Sequence, residues 1–232
     1  VLVNCDATFE ADETFSAVLG ASAAYTIGAG SAQATIRNDD AATISAIQGA
    51  GAASPRLGQV VLTRGIVTSR VSNGFYIQSQ PSDEDADQGT SEGLFVFTSA
   101  VPDAATVVVG NLVQVSGTVL EFIPATDPNT PPLTELSSPT TVVISTGNPL
   151  PAPVALGAGV PAPTGGIEQL EYLENMRVSV PSLSVIAPTD GTVNEVNATA
   201  TTNGRFYAVV TGTPRPFREA GLEPEDAVGQ PA

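Results

Sequence analysis

The sequence predicts a mostly β protein: a partial two-sheet sandwich, then a five-stranded barrel, then a further small β region. Three observations carry this. Gly (22) and Pro (19) are frequent and fall between runs rich in Val and Thr, which is turn chemistry separating strands. The runs are short and alternate apolar with polar residues, the period of a half-buried strand. Apolar stripes at helical spacing are nearly absent, and no segment approaches the ~20 apolar residues a membrane-spanning helix needs.

Residues 1–42 read as strand, acidic turn, strand, loop, strand. Val1–Val3 lead into Asn4-Cys5-Asp6; acids from Glu10 to Glu13 precede an alternation that puts Phe15, Ala17 and Leu19 on one face; Gly28 and Gly30 punctuate a loop, and Ser31–Ile36 alternates again. Two or three strands do not close a core in water, so this piece needs strands beyond its own. Residues 43–146 supply five: Gln59–Arg70, Gly74–Gln80, Gly93–Thr98, Asn111–Phe122 and Thr140–Ser145, entered by a loop from Gln48 to Pro55. Gly65 and Gly117 fall inside the two longest, where glycine marks a bend or bulge of the kind that curls a five-stranded sheet shut. Residues 147–166, with Pro149, Pro151, Pro161 and Pro163 among Ala and Gly, have linker composition. In 167–232, Ile167–Asn175 suggests a short turn or helix, Arg177–Val180, Ser182–Ile186 and Arg205–Thr211 suggest strands, and the last ten residues are a polar tail.

Charge removes several classes of function. The 24 acids face 8 Arg and no Lys, for a net charge of −16, and there is no His. Imidazole acid–base work, a Ser-His-Asp or Cys-His pair and a His-ligated zinc are excluded. Tight binding of duplex DNA by neutralising phosphates is disfavoured, because that affinity comes from Lys and Arg. A single cysteine, Cys5, excludes an intrachain disulfide and a thiolate-built metal site. The first residue is Val1, with no basic start and apolar run beside it, so a removed leader or a piece of a longer protein is expected.

The run Asp6-x-x-Phe9-Glu10-x-Asp12-Glu13-x-Phe15, closed by Ala34-Thr35-Ile36-Arg37-Asn38-Asp39-Asp40, resembles the C-terminal half of a Calx-β domain, an immunoglobulin-like sandwich. That resemblance implies Ca²⁺ gathered by acids at one end, with Asp6, Glu10, Asp12, Glu13, Asp39 and Asp40 as candidates. Ca²⁺ takes six to eight oxygens, and the family's N-terminal ligands are missing here, so a depleted site is expected. The alternative is that these acids keep an edge strand soluble.

The middle carries a longer resemblance. Ile47-Gln48-Gly49-x-Gly51, Ser54-Pro55, Gly58-Gln59-x-Val61, Arg64-Gly65-x-Val67-Thr68, Gly74-Phe75-Tyr76-Ile77-Gln78, Thr90-Ser91-Glu92-Gly93-Leu94-Phe95-Val96-Phe97 and Val109-Gly110-x-x-Val113-x-Val115-x-Gly117-x-Val119-x-Glu121-Phe122 resemble the OB-fold-like domain that precedes an endonuclease/exonuclease/phosphatase domain in bacterial extracellular nucleases. Glu171-x-x-Glu174-Asn175-Met176-Arg177-Val178 and Arg215-Pro216-Phe217-Arg218-Glu219 resemble the stretch that follows in the same proteins. The resemblance implies a secreted bacterial protein whose catalytic domain uses a His-Asp pair, Mg²⁺ and a Gly-Asp-Phe-Asn type motif, none of which this chain holds. The expected function is therefore a non-catalytic accessory region that positions the catalytic domain or its nucleic acid substrate. The competing reading is a calcium-stabilised adhesion or spacer module of a cell-surface protein.

OB barrels bind single strands on one face by stacking bases on aromatics and tracking phosphates with Arg. Arg64, Arg70, Tyr76 and Phe75 are the candidates, with Tyr76 expected outside the barrel and Phe75 inside it, because neighbours along a strand point to opposite faces. Phe95 and Phe97 share a face, expected to be the interior. Asp83, Asp85 and Asp87 alternate like a Ca²⁺ loop but miss the EF-hand template, with Gln88 at the glycine position and Leu94 at the bidentate Glu position; a solvated loop is the alternative. Glu168, Glu171 and Glu174 recur every third residue and read as the solvated face of a short turn.

Overall fold

The computed structural model describes residues 13–20, 23–24, 29–36, 40–125, 128–162, 165–166, 168–187, 191–202 and 206–213. Its strands are β1 (Glu13–Val18), β2 (Ser31–Ile36), β3 (Val60–Val71), β4 (Gly74–Gln78), β5 (Gly93–Phe97), β6 (Leu112–Phe122), β7 (Leu133–Ser145), β8 (Val154–Ala155), β9 (Val178–Ser179), β10 (Leu183–Ala187), β11 (Gly191–Asn194), β12 (Thr199–Thr202) and β13 (Tyr207–Val210). One short helix, α1 (Ile44–Gln48), precedes β3, and a 3₁₀ turn spans Glu171–Leu173. Among the described residues no helix is long and apolar enough to cross a membrane.

The centre is a closed barrel in the order β3-β4-β5-β7-β6. Every neighbouring pair is antiparallel except β5 and β7, which run parallel through Phe95↔Glu135 and Val96↔Leu136. Alternation points Val61, Val67, Phe75, Ile77, Leu94, Val96, Val113, Val115, Val119 and Leu136 inward, all almost wholly buried. Ile44 and Ile47 of α1 join that core. Thr43 caps the helix by accepting from Ala46 N at 3.2 Å, and Gly49, at φ 73, ends it. A five-residue helix is too short to show a period, which is why a loop is all the sequence suggests there.

The fifth barrel strand begins at Leu133, seven residues before the expected Thr140. Ser137, Ser138 and Pro139 interrupt the apolar pattern and hide its first half, with Ser138 in the left-handed region at φ 51. That half makes the parallel pairing that closes the barrel. Gly117 lies at a register shift between Ser116 and Thr118, where a Cβ would stand 2.9 Å from the Ser137 carbonyl oxygen. At Gly65 the space is taken by α1: a Cβ there would meet Ile44 Cδ1 and Ile77 Cβ at 3.1 Å, and the shift in β3 falls later, between Val67 and Ser69.

Among the described residues β1 and β2 pair only with each other. Every residue of the two strands whose burial is described is exposed or half-buried, in keeping with a hairpin that cannot form a core unaided. The Pro/Gly/Ala segment contributes β8, which pairs parallel with β9 through Val154↔Val178 and Ala155↔Ser179. Beyond it, β10 pairs with β13 and β11 with β12; the β11–β12 hairpin has no counterpart among the expected strands, because its Thr, Asn and Ala residues lack an apolar face.

Candidate functional site

The segment Leu170–Arg177 follows the linker region and packs against the end of β4 and the starts of β5 and β7. Gly93 makes room for it. A Cβ on Gly93 would fall 2.4 Å from the Asn175 carbonyl carbon and 2.6 Å from Met176 N, so only glycine lets the two backbones meet. Arg177 N donates to Gln78 Oε1 at 3.0 Å, Ser91 Oγ donates to the Glu174 carbonyl, and Glu92 N donates to the Met176 sulfur at 3.4 Å. The Arg177 guanidinium donates to the Pro151 carbonyl. Asn175 sits at φ 60, a conformation Asn tolerates better than most residues.

Beneath and beside this strap three carboxyl groups converge. Glu174 Oε1 accepts from Thr134 N at 2.7 Å; Glu121 Oε1 accepts from Thr134 Oγ1 at 3.0 Å and from Ser54 N at 2.6 Å; Glu171 is close enough to Glu174 to share a hydrogen bond once one of them is protonated. Glu174 Oε2 is buried without a partner. Burial, reinforced by Glu171 and Glu121, pushes the Glu174 carboxyl up to about 8, and burial also raises Glu171. A cleft of about 370 Å³ opens onto the group, walled by Phe122, Pro131, Pro132, Leu133 and Leu170. The expectation of a solvated acidic face is thus corrected: Glu174 turns inward, where β7 supplies the Thr134 amide as a donor. Sequence spacing alone misses Glu121, which lies on a distant strand and meets Glu174 only through closure of the barrel.

The predicted nucleic-acid residues are dispersed. Phe75 is fully buried in the core, out of reach of a base stacked on the outside. Tyr76 lies on the outer face, its ring centroid 4.9 Å from that of Phe95, and burial raises its hydroxyl pKa. Together with Thr68, Ser69 and the strap's Asn175, Met176 and Arg177, it lines a recess of about 220 Å³. Phe95 and Phe97 point outward, since Leu94 and Val96 fill the interior; Phe95 is buried nonetheless. Arg70 donates to the Pro102 carbonyl at 2.6 Å. Arg64 forms a two-pronged ion pair with Asp83, at 2.8 and 2.9 Å.

The predicted Ca²⁺ residues fare differently by position. Asp6, Glu10, Asp12 and Asp39 lie outside the described residues, and Glu13 is placed only as the first residue of β1. Asp40 lines a pocket with Arg64, Ser79 and Asp83. Burial pushes Asp83 up, but hydrogen bonds from Arg64, Gln80 and Ser82 outweigh it and hold the carboxyl below its usual range. Asp85 Oδ1 accepts from Asp87 N at 2.8 Å and Asp87 Oδ1 from Gly89 N at 2.8 Å. These acids brace their own loop, and among the described residues no group of three or more potential ligands is arranged to hold a metal ion.

The chain matches no family model, no curated protein and no solved structure. Its functional reading therefore rests on the geometry just described and on the motifs of its sequence.

Proposed function

We propose that this chain is the non-catalytic region of a secreted bacterial nuclease, in which an OB-type barrel acts as a platform that orients the catalytic domain of the same polypeptide. The strap carries this reading. In an OB barrel the second and third strands form the face that takes single strands, and on their counterparts here, β4 and β5, Leu170–Arg177 occupies the end marked by Gln78 and Gly93. A face partly occupied by the protein's own backbone suits a fixed mounting better than a ligand face. The strand order, with its one parallel pair, supports the OB assignment, as do the motifs between Ile47 and Phe122. The loss of Arg64 to Asp83 and the net charge of −16 weaken any attraction for phosphates. On this reading Mg²⁺ belongs to the catalytic domain, and Ca²⁺ at the N-terminal acids belongs to the sandwich of which β1 and β2 are the end.

The test has two arms. Fluorescence anisotropy of labelled single-stranded DNA and RNA with the full chain at moderate salt is expected to show no saturable binding; tight binding would move the reading from domain positioning to substrate positioning. Small-angle scattering of the longer protein is expected to give one fixed separation between this region and the catalytic domain. Scattering from two freely tumbling bodies, or a reading frame without a catalytic domain, would sink the proposal.

A further inference from the structure

We propose that Glu174 and Glu171 form a proton-held latch: one proton shared between their carboxyl groups keeps Leu170–Arg177 seated on the barrel, and its loss lets the strap lift from Tyr76 and Gly93. The inference stands on the strap and the carboxyl cluster alone and is independent of the nuclease reading.

Glu174 Oε1 is committed to Thr134 N, while Oε2 is buried with no donor facing it. The Glu171 carboxyl lies within hydrogen-bonding reach of the Glu174 carboxyl. Two carboxylates cannot hydrogen-bond to each other, since both only accept; a single proton makes one of them a donor. The charged groups facing the pair are carboxylates as well, Glu121 from β6 and Glu168 from the turn. Glu135 on β7 and Glu92 before β5 are the other acids on the elements under the strap, both raised by burial. The strap's own cation, Arg177, is turned onto the Pro151 carbonyl. A second negative charge in this cluster is therefore repelled on several sides, and lifting the strap into water relieves it.

The direction with pH follows from linkage. In a lifted strap Glu174 ionises near its ordinary value of 4.5, whereas in the seated strap it holds its proton up to about 8. The latch is at full strength below about 4.5, weakens as pH rises, and adds no further loss above about 8. Within that window the lifted population grows by up to about tenfold per pH unit, the limit for one proton.

Amide exchange on the full chain tests this, read as protection factors for the amides of Thr134 and Arg177 from acid to mildly alkaline pH. Protection at both is expected to fall across the window and then level off. Glu174→Gln, which keeps an acceptor for Thr134 N and offers Glu171 a permanent donor, is expected to hold protection constant. Glu171→Gln removes a like charge and is expected to move the levelling-off to lower pH. Circular dichroism checks that each variant keeps its β signature. Flat protection in the native chain overturns the latch without reference to any variant, and so does an unchanged pH profile in Glu174→Gln.

Discussion

Arg64 and Asp83 belong to two different candidate sites in the sequence, a phosphate contact and a Ca²⁺ ligand, and in the structure each occupies the other. Their bidentate pair is half-exposed on the Arg side, so Arg64→Ala is expected to cost less than about 1 kcal/mol in chemical denaturation. Calcium titration by calorimetry is expected to give the same weak heats for the native chain and for a variant carrying Asp85→Asn and Asp87→Asn. A clearly larger heat in the native chain would make the loop a metal site after all. Phe75 is the opposite case: with no exposed surface and core neighbours on every side, Phe75→Ala is expected to lose about 3–5 kcal/mol in the same denaturation experiment. Which of two adjacent aromatics faces inward is legible from strand alternation, and Tyr76 and Phe75 follow it. The side on which Phe95 and Phe97 lie is not, because the opposite face of β5, Leu94 and Val96, is equally apolar, whereas in β4 Gln78 marks the face of Tyr76 as the outer one.

Besides β8 and the β11–β12 hairpin, three elements escape or only partly show in the sequence, each for a local reason. α1 is one turn long; its contribution lies in driving Ile44 and Ile47 into the barrel. The first half of β7 is masked by Ser137-Ser138-Pro139. The strap contains a legible acidic repeat, but nothing in it says that Asn175 and Met176 must lie on Gly93. Gly93→Ala probes that contact directly. With backbone atoms 2.4–2.6 Å from the new Cβ and no flexible side chain to give way, the strap is expected to be displaced. Exchange protection at Arg177 should collapse while that of the barrel core is retained, and unchanged protection would show that the strap is not seated there.

At the scale of the whole molecule, the buried carboxyls set an unusual pH response. Glu92, Glu135, Glu171 and Glu174 are all raised, chiefly by burial. A carboxyl whose folded pKa is higher than its unfolded one stabilises the fold fully below its ordinary range and loses that contribution as pH rises through the folded value. The window runs from about 4.5 to about 8 for Glu174. Self-repulsion of a chain at −16 acts in the same direction, since it also eases as carboxylates are protonated. Thermal unfolding is accordingly expected to show a higher Tm at mildly acidic than at mildly alkaline pH, and a Tm that falls steadily with acidification from neutral would contradict it. Asp83, which is lowered, contributes in the opposite sense only below the ordinary carboxylate range. By itself the sequence determined the strand-rich class, most of the barrel strands, the lack of histidine, and the acidic field, because these depend on composition and on a period of two. Only the tertiary structure decided that β5 and β7 pair in parallel, that Arg64 is spent on Asp83, and that Glu121, Glu171 and Glu174 meet beneath a strap. Those contacts join residues dozens of positions apart, and no local pattern records which distant groups barrel closure will bring within hydrogen-bonding range.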